Sequence, residues 1–207
     1  MERYYHDLAT AFVRGRVRDQ FATIEDGLQA GLRLHKFKVG PPLPRIQKVL
    51  GILRSLAPVD LLDVGSGRGA FLWPLLAVFP GLSVTAIDFN EQRASDLGAV
   101  RRGGCTRLTP VRMDAQRLGF APRSFDAVTM LEVLEHMPNP QAALTAAVAV
   151  ARRCVILSVP SVPDDNPEHL HLFTPDQLQR MAAEAGGARI TVEHVLNHRV
   201  AVIRVAS

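Results

Sequence analysis

The residues with the most chemical potential in this sequence are acids and histidines that directly follow apolar runs. Asp63 stands just before a glycine-rich turn, while Asp88 and Asp114 end the next two apolar runs. A fourth run ends at Leu131 and is followed, over residues 132–136, by the pattern Glu-x-x-Glu-His. Carboxylates accept hydrogen bonds from hydroxyl and ammonium groups, and an imidazole can exchange a proton near neutral pH. These residue types predict a site that binds a polar ligand and moves a proton.

The glycine-rich turn lies within residues 61–72, where an apolar run stops at alternating glycines and resumes with helical spacing. Gly65, Ser66, Gly67 and Gly69 form the turn, so the segment is typical of a strand, a tight turn and a helix. Glycine allows the positive φ values of such a turn and lets a ligand approach the backbone. We therefore expect unpaired N–H groups at the helix start to bind the anionic end of a ligand.

Alternating strand and helix patterns place these groups on one structural framework. The predicted strands and helices are strands at 59–64, 83–88, 108–113, 125–131 and 154–160, and helices at 69–79, 91–99, 139–151 and 175–185. This alternation predicts an α/β fold with a mostly parallel sheet and helices on both faces. Residues 189–205 alternate around Asn197-His198 as a hairpin would. Ligands of such sheets bind at the carboxyl ends of the strands, where all the groups above are expected.

The N-terminal part precedes this alternation and is predicted to be helical. Residues 3–32 are expected to be mostly helix, and a second apolar helical pattern follows Pro44. A chain of 207 residues suits a single domain. We predict that residues 1–58 form a helical extension and lid that belongs to the same domain as residues 59–207.

The four segments, in this order, resemble the class I S-adenosylmethionine-dependent methyltransferases from about Leu61 to Leu178. The resemblance implies a Rossmann-like, doubly wound, seven-stranded sheet that is mostly parallel and ends in an antiparallel C-terminal hairpin. It makes residues 59–207 the S-adenosylmethionine-binding methyltransferase domain. It also implies that the glycine turn lies beside the methionine end, that Asp88 binds the ribose and that Asp114 binds the adenine amine. The implied cofactor residues are Asp63, Gly65, Ser66, Gly67, Gly69, Asp88, Phe89, Asp114, Ala115 and Leu131.

The Glu-x-x-Glu-His segment points to the acceptor side of the site. A helical turn starting at Glu132 would place Glu135 and His136 on the same face, and His171 follows later in an extended segment that also contains His169. The pattern resembles the small-RNA 3′-terminal 2′-O-methyltransferases and, in part, the ubiquinone-biosynthesis O-methyltransferases, both metal-assisted. The predicted metal ligands are therefore Glu132, Glu135, His136 and His171, for manganese, iron, zinc or magnesium.

The same residues have a role without a metal. His136 is then the predicted general base, with Glu135 beside it and His171 as a second base. An alcohol is a weak nucleophile at neutral pH, so a base in this position favours methyl transfer to oxygen. The acceptor itself stays open between a small metabolite and RNA.

Two other functions fit part of the pattern. Gly65, Gly67 and Ala70 also satisfy the dinucleotide fingerprint, so a nicotinamide-dependent oxidoreductase is one alternative. Asp63 disfavours it, because a carboxylate there would repel a pyrophosphate. The second alternative is a non-catalytic module of the same fold that binds RNA.

The charge distribution and the cysteine content indicate which partners the protein could bind and where in the cell it is expected. Residues 1–58 contain ten Lys and Arg against five Asp and Glu, whereas residues 59–207 contain fourteen against fifteen. This basic N-terminal part either attracts RNA or another anion, or is simply a solvated surface. The charged start, the absence of a membrane-length apolar run and the presence of only Cys105 and Cys154 predict a cytoplasmic protein that does not contact a membrane. The oligomeric state is not predicted.

Overall fold

One mixed sheet forms the centre of the computed structural model, which describes residues 5–41 and 43–206. The strands are β1 (Asp60–Val64), β2 (Ser83–Asp88), β3 (Leu108–Arg112), β4 (Phe125–Leu131), β5 (Ala151–Pro160), β6 (Gly187–Val195) and β7 (His198–Val205). Their order is β3-β2-β1-β4-β5-β7-β6, and only β7 runs antiparallel to its neighbours β5 and β6. The predicted seven-stranded, mostly parallel sheet with an antiparallel C-terminal hairpin is confirmed. Strand order reverses between β1 and β4, which is where such sheets bind ligands.

Seven helices cover the sheet in the described part of the chain. They are α1 (His6–Val17), α2 (Ile24–Gln29), α3 (Pro44–Leu56), α4 (Leu72–Val78), α5 (Glu91–Arg102), α6 (Pro140–Val150) and α7 (Pro175–Glu184). Short 3₁₀ turns occur at His35–Phe37 and Leu134–His136. Within residues 5–41 and 43–206, every helix is too short or too polar to traverse a bilayer.

Helices lie on both faces because neighbouring strand residues pack in opposite directions. Leu61 belongs to an apolar cluster that includes residues of α1, α3, α4 and α5, whereas Leu62 belongs to a cluster with residues of α6 and α7. Alternation of this kind follows from the period of two in a strand. The first cluster contains Phe12 and Phe37, so the N-terminal helices and the sheet share a core.

Several element boundaries differ from the sequence predictions, of which three are the most informative. The helix predicted at 69–79 begins at Leu72, because Gly69 has a φ of +87° and cannot belong to a right-handed helix. The strand predicted at 154–160 begins earlier, at Ala151, where Arg152 pairs with Asp126 of the neighbouring strand β4 and with Asp60 of β1. The helix predicted over residues 3–32 is two helices, α1 and α2, and residues 3 and 4 lie outside the described residues.

Candidate active site

A cavity of about 830 Å³ opens at the carboxyl ends of β1, β2 and β4. The predicted cofactor residues that line it are Asp63, Gly65, Ser66, Gly67, Asp88, Phe89, Asp114, Ala115 and Leu131. Gly69 lies outside the lining. The parallel strands therefore bring residues that are far apart in the sequence to one edge of the sheet, as the strand pattern predicts.

The glycine turn between β1 and α4 is held mainly by its own protein contacts. The N–H groups of Gly65 and Ser66 both donate to the Ile87 carbonyl, at 2.9 and 3.0 Å. Gly67 N–H donates to Asp88 Oδ2 at 2.8 Å, and Gly69 N–H donates to the Ser66 carbonyl at 2.9 Å. The turn therefore uses three of these amides to join β1 to β2 and the fourth to close itself, while anion binding by the amides at the start of α4 stays a prediction. Only the Arg68 N–H of residues 65–69 has no acceptor among the described residues.

Gly69 is required by packing as well as by its backbone conformation. A Cβ atom at this position would lie 2.1 Å from the Trp73 ring. Trp73 donates from Nε1 to the Arg68 carbonyl at 3.0 Å, and its ring packs on Phe37 with centroids 4.9 Å apart. Gly69 therefore allows a tryptophan to join the turn to the N-terminal extension.

Asp63 is a buried carboxylate at the floor of the cavity. Its side chain is almost fully buried, and Oδ1 accepts from Thr129 Oγ1 at 2.7 Å. Oδ2 has no partner among the described residues. Burial raises the pKa of Asp63 to about 6, while the hydroxyl groups of Thr129 and Ser66 nearby oppose this and the Asp88 charge adds to it. A buried carboxylate oxygen with no donor fits a cationic or N–H group of a ligand.

Thr129 was missed as part of the site. It is a fully buried polar residue between the apolar Val128 and Met130 of β4, next to β1. A lone hydroxyl within an apolar strand is a sequence signal of a buried hydrogen bond, and here that bond orients Asp63.

Asp88 and Asp114 each cap the turn that follows their strand. Asp88 Oδ1 accepts from Asn90 N–H at 2.8 Å, and Asp114 Oδ1 accepts from Gln116 N–H at 2.9 Å. Because a carboxylate offers about four acceptor positions, both groups keep capacity for ligand hydroxyl or amine groups. The capping role and the predicted cofactor role are therefore compatible.

Phe89 is an exposed aromatic side chain at the cavity wall. It is 70% exposed although it follows the buried end of β2, and it lines the cavity with the nearly buried Ala115. An aromatic ring left open in this way can stack on a planar base.

Glu132 joins several elements instead of starting a helix. Its φ of +56° is rare for a residue with a side chain, and the 3₁₀ turn starts only at Leu134, so the predicted helical turn from Glu132 was wrong. Oε1 accepts from Ser158 Oγ at 2.7 Å and Oε2 lies 3.1 Å from His198 Nε2. The backbone N–H also donates to the Ser158 carbonyl, at 3.0 Å. Glu132 thus contacts β5 and β7 and lines the cavity, but it does not belong to the acid–histidine cluster formed by Glu135, His136 and His169.

In this cluster, one potential ligand atom from each residue lies within 4.8 Å of the others. Glu135 is fully buried and neither carboxylate oxygen has a partner among the described residues. Burial, followed by the charge of Glu132, raises the pKa of Glu135 to about 8. A carboxyl group with this pKa is mostly protonated at neutral pH unless a cation lies next to it.

The two histidine rings of the cluster are each oriented through Nδ1. His136 Nδ1 is 3.0 Å from the Glu168 carbonyl oxygen, and His169 Nδ1 is 2.9 Å from Asp164 Oδ1. An Nδ1–H donor to these oxygens leaves Nε2 of each ring with a free lone pair. The cluster therefore offers two imidazole nitrogens and one carboxylate, of which His136 also lines the cavity.

His171, predicted as a ligand and second base, lies apart from this cluster. Its Nε2 is 2.9 Å from the Met137 carbonyl oxygen, and its ring packs against Phe173. The extended segment was expected to direct His169 and His171 to the same side, but the structure places only His169 against Glu135 and His136.

Helix α3, which belongs to the predicted lid of residues 1–58, supplies a wall of the cavity. Arg45 and Ile46, in its first turn, line the cavity, and Arg45 Nε is 3.7 Å from Glu132 Oε1. The apolar pattern of α3 marked Ile46 as a packing residue, and no motif distinguished Arg45 from other surface arginines.

Comparison with known proteins agrees with this geometry. Residues 62–153 match a family model described as a methyltransferase domain. A ubiquinone biosynthesis O-methyltransferase of Dechloromonas aromatica is 36% identical over 102 residues, which cover 47% of this chain and 42% of that protein. The nocamycin O-methyltransferase of Saccharothrix syringae is 41% identical over 90 residues, which cover 42% of this chain and 31% of that protein. The chain thus spans less than half the length of these relatives.

A solved structure extends the likeness to the fold. The N-terminal domain of EvdMO1, determined with S-adenosylhomocysteine and D-fucose, superposes with a TM-score of 0.61 at 18% identity and covers 81% of this chain and 84% of that chain. The methyltransferase relatives favour the methyltransferase interpretation over the nicotinamide-dependent oxidoreductase. Residues 62–153 are therefore similar in sequence to a methyltransferase domain, and the chain shares the fold of a solved structure that contains S-adenosylhomocysteine.

Proposed function

We propose that the protein is an S-adenosylmethionine-dependent methyltransferase that acts on an oxygen acceptor. The observation that carries the proposal is the buried Asp63 carboxylate with one unpartnered oxygen, located before the glycine turn in a methyltransferase domain. Such an oxygen suits the ammonium group of the methionine end of the cofactor. S-adenosylmethionine, when bound, supplies an electrophilic methyl group on a sulfonium, so the protein has mainly to position the acceptor and exclude water.

Three acidic residues of the cavity are assigned to different parts of the cofactor. Asp63 receives the ammonium group, Asp88 receives the ribose hydroxyls, and Asp114 receives the adenine amine beside Phe89. Asp88 is fixed for this role because Gly67 and Asn90 N–H groups both donate to it. Fixed acceptors of this kind orient a ligand at little entropic cost.

Oxygen as the acceptor atom is supported by His136 and by the relatives, which are named O-methyltransferases. His136 lines the cavity, and its Nδ1 contact with the Glu168 carbonyl leaves Nε2 free to remove the hydroxyl proton. A small metabolite and RNA both remain candidates for the acceptor. The cytoplasm is the proposed location, since Cys105 and Cys154 are both free thiols.

We also propose that a divalent metal ion assists the reaction. The ligand set supported by the structure is Glu135, His136 and His169, in place of the set predicted from the sequence. The residues fit a metal because Glu135 is buried without a hydrogen-bond partner and both rings are oriented by oxygen acceptors at Nδ1. Two imidazoles and one carboxylate suit manganese, iron or zinc better than magnesium. A cation held there would supply Lewis acidity that lowers the pKa of an acceptor hydroxyl.

Cofactor binding is tested by thermal shift. S-adenosylhomocysteine at about 100 times its Kd should stabilise the protein by about 2.7 kcal/mol, which shifts the Tm by several degrees, while NAD should not shift it. Asp63→Asn should weaken this response at least about tenfold in apparent Kd, whereas Asp165→Asn, the same change at an exposed acid, should not. Stabilisation by NAD instead of S-adenosylhomocysteine would refute the proposal. Incubation with labelled S-adenosylmethionine and separate metabolite and RNA pools then identifies the acceptor.

The metal is tested separately by calorimetry, with no turnover required. Chelator-treated protein should bind Mn²⁺, and Glu135→Gln should abolish binding while keeping the shape of the side chain. Glu184→Gln is the matched control, because Glu184 is an exposed residue at the end of α7. Equal Mn²⁺ affinity in both variants, or none in the unmodified protein, would remove the metal from the mechanism and leave His136 as the base.

A further inference from the structure

A second cavity, of about 750 Å³, lies beside the cofactor cavity and has no role in the methyl transfer described above. It is bounded by α1, the segment after α2, the glycine turn and the start of α5. We call it the basic cleft, defined by its cationic side chains. These are Arg16, Arg33, Lys36, Arg68 and Arg93.

The charges in the basic cleft are strongly unbalanced. Five side chains that are cationic at neutral pH face a single carboxylate, Asp96. Asp96 pairs with both Arg16 and Lys36, so its negative charge is already shared. Burial lowers the pKa of Lys36, and the nearby charge of Arg16 lowers it further while Asp96 opposes both effects. The cleft therefore has an excess of positive charge that its own carboxylate does not neutralise.

Two arginines of the cleft have no ion-pair partner within the described ranges. Arg33 and Arg68 are both exposed, and neither forms a salt bridge with a residue of 5–41 or 43–206. Arg93 is also exposed and contacts only the edge of the cofactor site, with Nη1 3.7 Å from Asp88 Oδ2. Two unpaired guanidinium groups, and a third that is paired with Asp88, thus lie on different walls of one cavity. Guanidinium groups bind phosphate oxygens in pairs, which a lysine cannot do.

We infer that the basic cleft binds a phosphate group of an anionic ligand next to the cofactor. The location follows from shared residues, since Arg68, Asn90 and Arg93 line both cavities. The cleft contains no exposed Phe, Tyr or Trp ring, since Phe12 is buried and His35 is its only other ring. Recognition there depends on phosphate charge and hydrogen bonding rather than on base stacking. A small polyphosphate and the backbone of single-stranded RNA both carry this chemistry.

The inference is tested by isothermal titration of the whole chain without S-adenosylmethionine, so it stands or falls independently of methyl transfer. Tripolyphosphate and a mixed-sequence single-stranded RNA are the two probes, each at low and at moderate salt. Arg33→Ala/Arg93→Ala should weaken binding at least about tenfold, because it removes two charge-assisted contacts. Arg180→Ala/Arg189→Ala removes the same charge from an exposed surface elsewhere and should change Kd less than about twofold.

The outcomes separate the two sources of phosphate. Tight tripolyphosphate binding that RNA does not displace supports a small phosphorylated ligand, and displacement by RNA supports a nucleic-acid backbone. Arg33→Lys/Arg93→Lys, which keeps the charge and loses the paired hydrogen bonds, should bind with intermediate affinity. Equal weakening in the Arg180/Arg189 control would show a diffuse charge effect and overturn the inference. The absence of binding by both probes would also overturn it.

Discussion

Asp63, the proposed acceptor for the ammonium group of the cofactor, should make cofactor affinity depend on pH. Burial raises its pKa to about 6 in the folded protein, from a usual value near 3.8. The ligand ammonium pairs only with the ionised carboxylate, so S-adenosylhomocysteine should bind more tightly as the pH rises from about 5 to about 7 and then level off. In the ligand-free protein the sign is opposite. The neutral carboxyl contributes stability that is complete below pH 3.8 and is lost as the pH rises through about 6.

Calorimetric titrations at several pH values check both the size and the origin of this effect. Across that range the affinity should change by roughly tenfold, the range expected for one group with a pKa near 6. Asp63→Asn should bind weakly at every pH, with a flat profile. A pH profile that keeps its slope in this variant would assign the titration to another group.

Gly69 should be among the least replaceable residues of the turn. In Gly69→Ala the new Cβ would lie 2.1 Å from the Trp73 ring, at a φ of +87° that alanine rarely adopts. We expect a loss of about 2–4 kcal/mol in unfolding free energy. Gly81→Ala, at a surface position with open space around it, should be near neutral. Chemical denaturation of both variants measures the difference, and similar midpoints would contradict the packing seen here.

At the level of elements, glycine sets how closely α1 and α5 approach each other. A Cβ at Gly15 of α1 would lie 1.9 Å from the Ala99 carbonyl oxygen of α5, whereas a Cβ at Gly51 of α3 meets no atom within 4 Å. The same glycine-to-alanine substitution in the two helix interiors should therefore have opposite effects on the free energy of unfolding. Gly15→Ala should cost about 2 kcal/mol or more, and Gly51→Ala should add about 0.5–1 kcal/mol through helix propensity. Thermal melts of both variants test the pair, and two shifts of the same sign would contradict it.

The elements also show which information the sequence carried. The edge at which Asp63, Asp88 and Asp114 converge was predictable, because apolar runs ending in acids report local structure and parallel strands then align their ends. The hydrogen bonds of the glycine turn were not, since Gly65 and Ser66 donate to Ile87, more than twenty residues away. The choice of His169 over His171 depends in the same way on tertiary contacts with Asp164 and Met137.

Across the whole molecule, the N-terminal extension and the cofactor turn are joined through one side chain. Trp73 bonds the Arg68 carbonyl of the turn and packs on Phe37 of the extension, whose ring lies 5.2 Å from that of Phe12 in α1. Loosening of the extension would therefore expose the tryptophan and release the turn. This arrangement supports the prediction that residues 1–58 and 59–207 belong to one folding unit.

Trp73 is the only tryptophan, so its fluorescence reports this junction alone. If the extension and the sheet unfold as one unit, tryptophan fluorescence and far-UV circular dichroism should give a single transition with coincident midpoints in denaturant. S-adenosylhomocysteine should move both midpoints together, because it binds the turn that Trp73 supports. Phe37→Ala should lower both midpoints by the same amount, because the two parts unfold together. Removal of this fully buried ring should cost about 3–5 kcal/mol of unfolding free energy. A fluorescence transition that precedes the loss of circular dichroism would instead make the extension a separately unfolding lid.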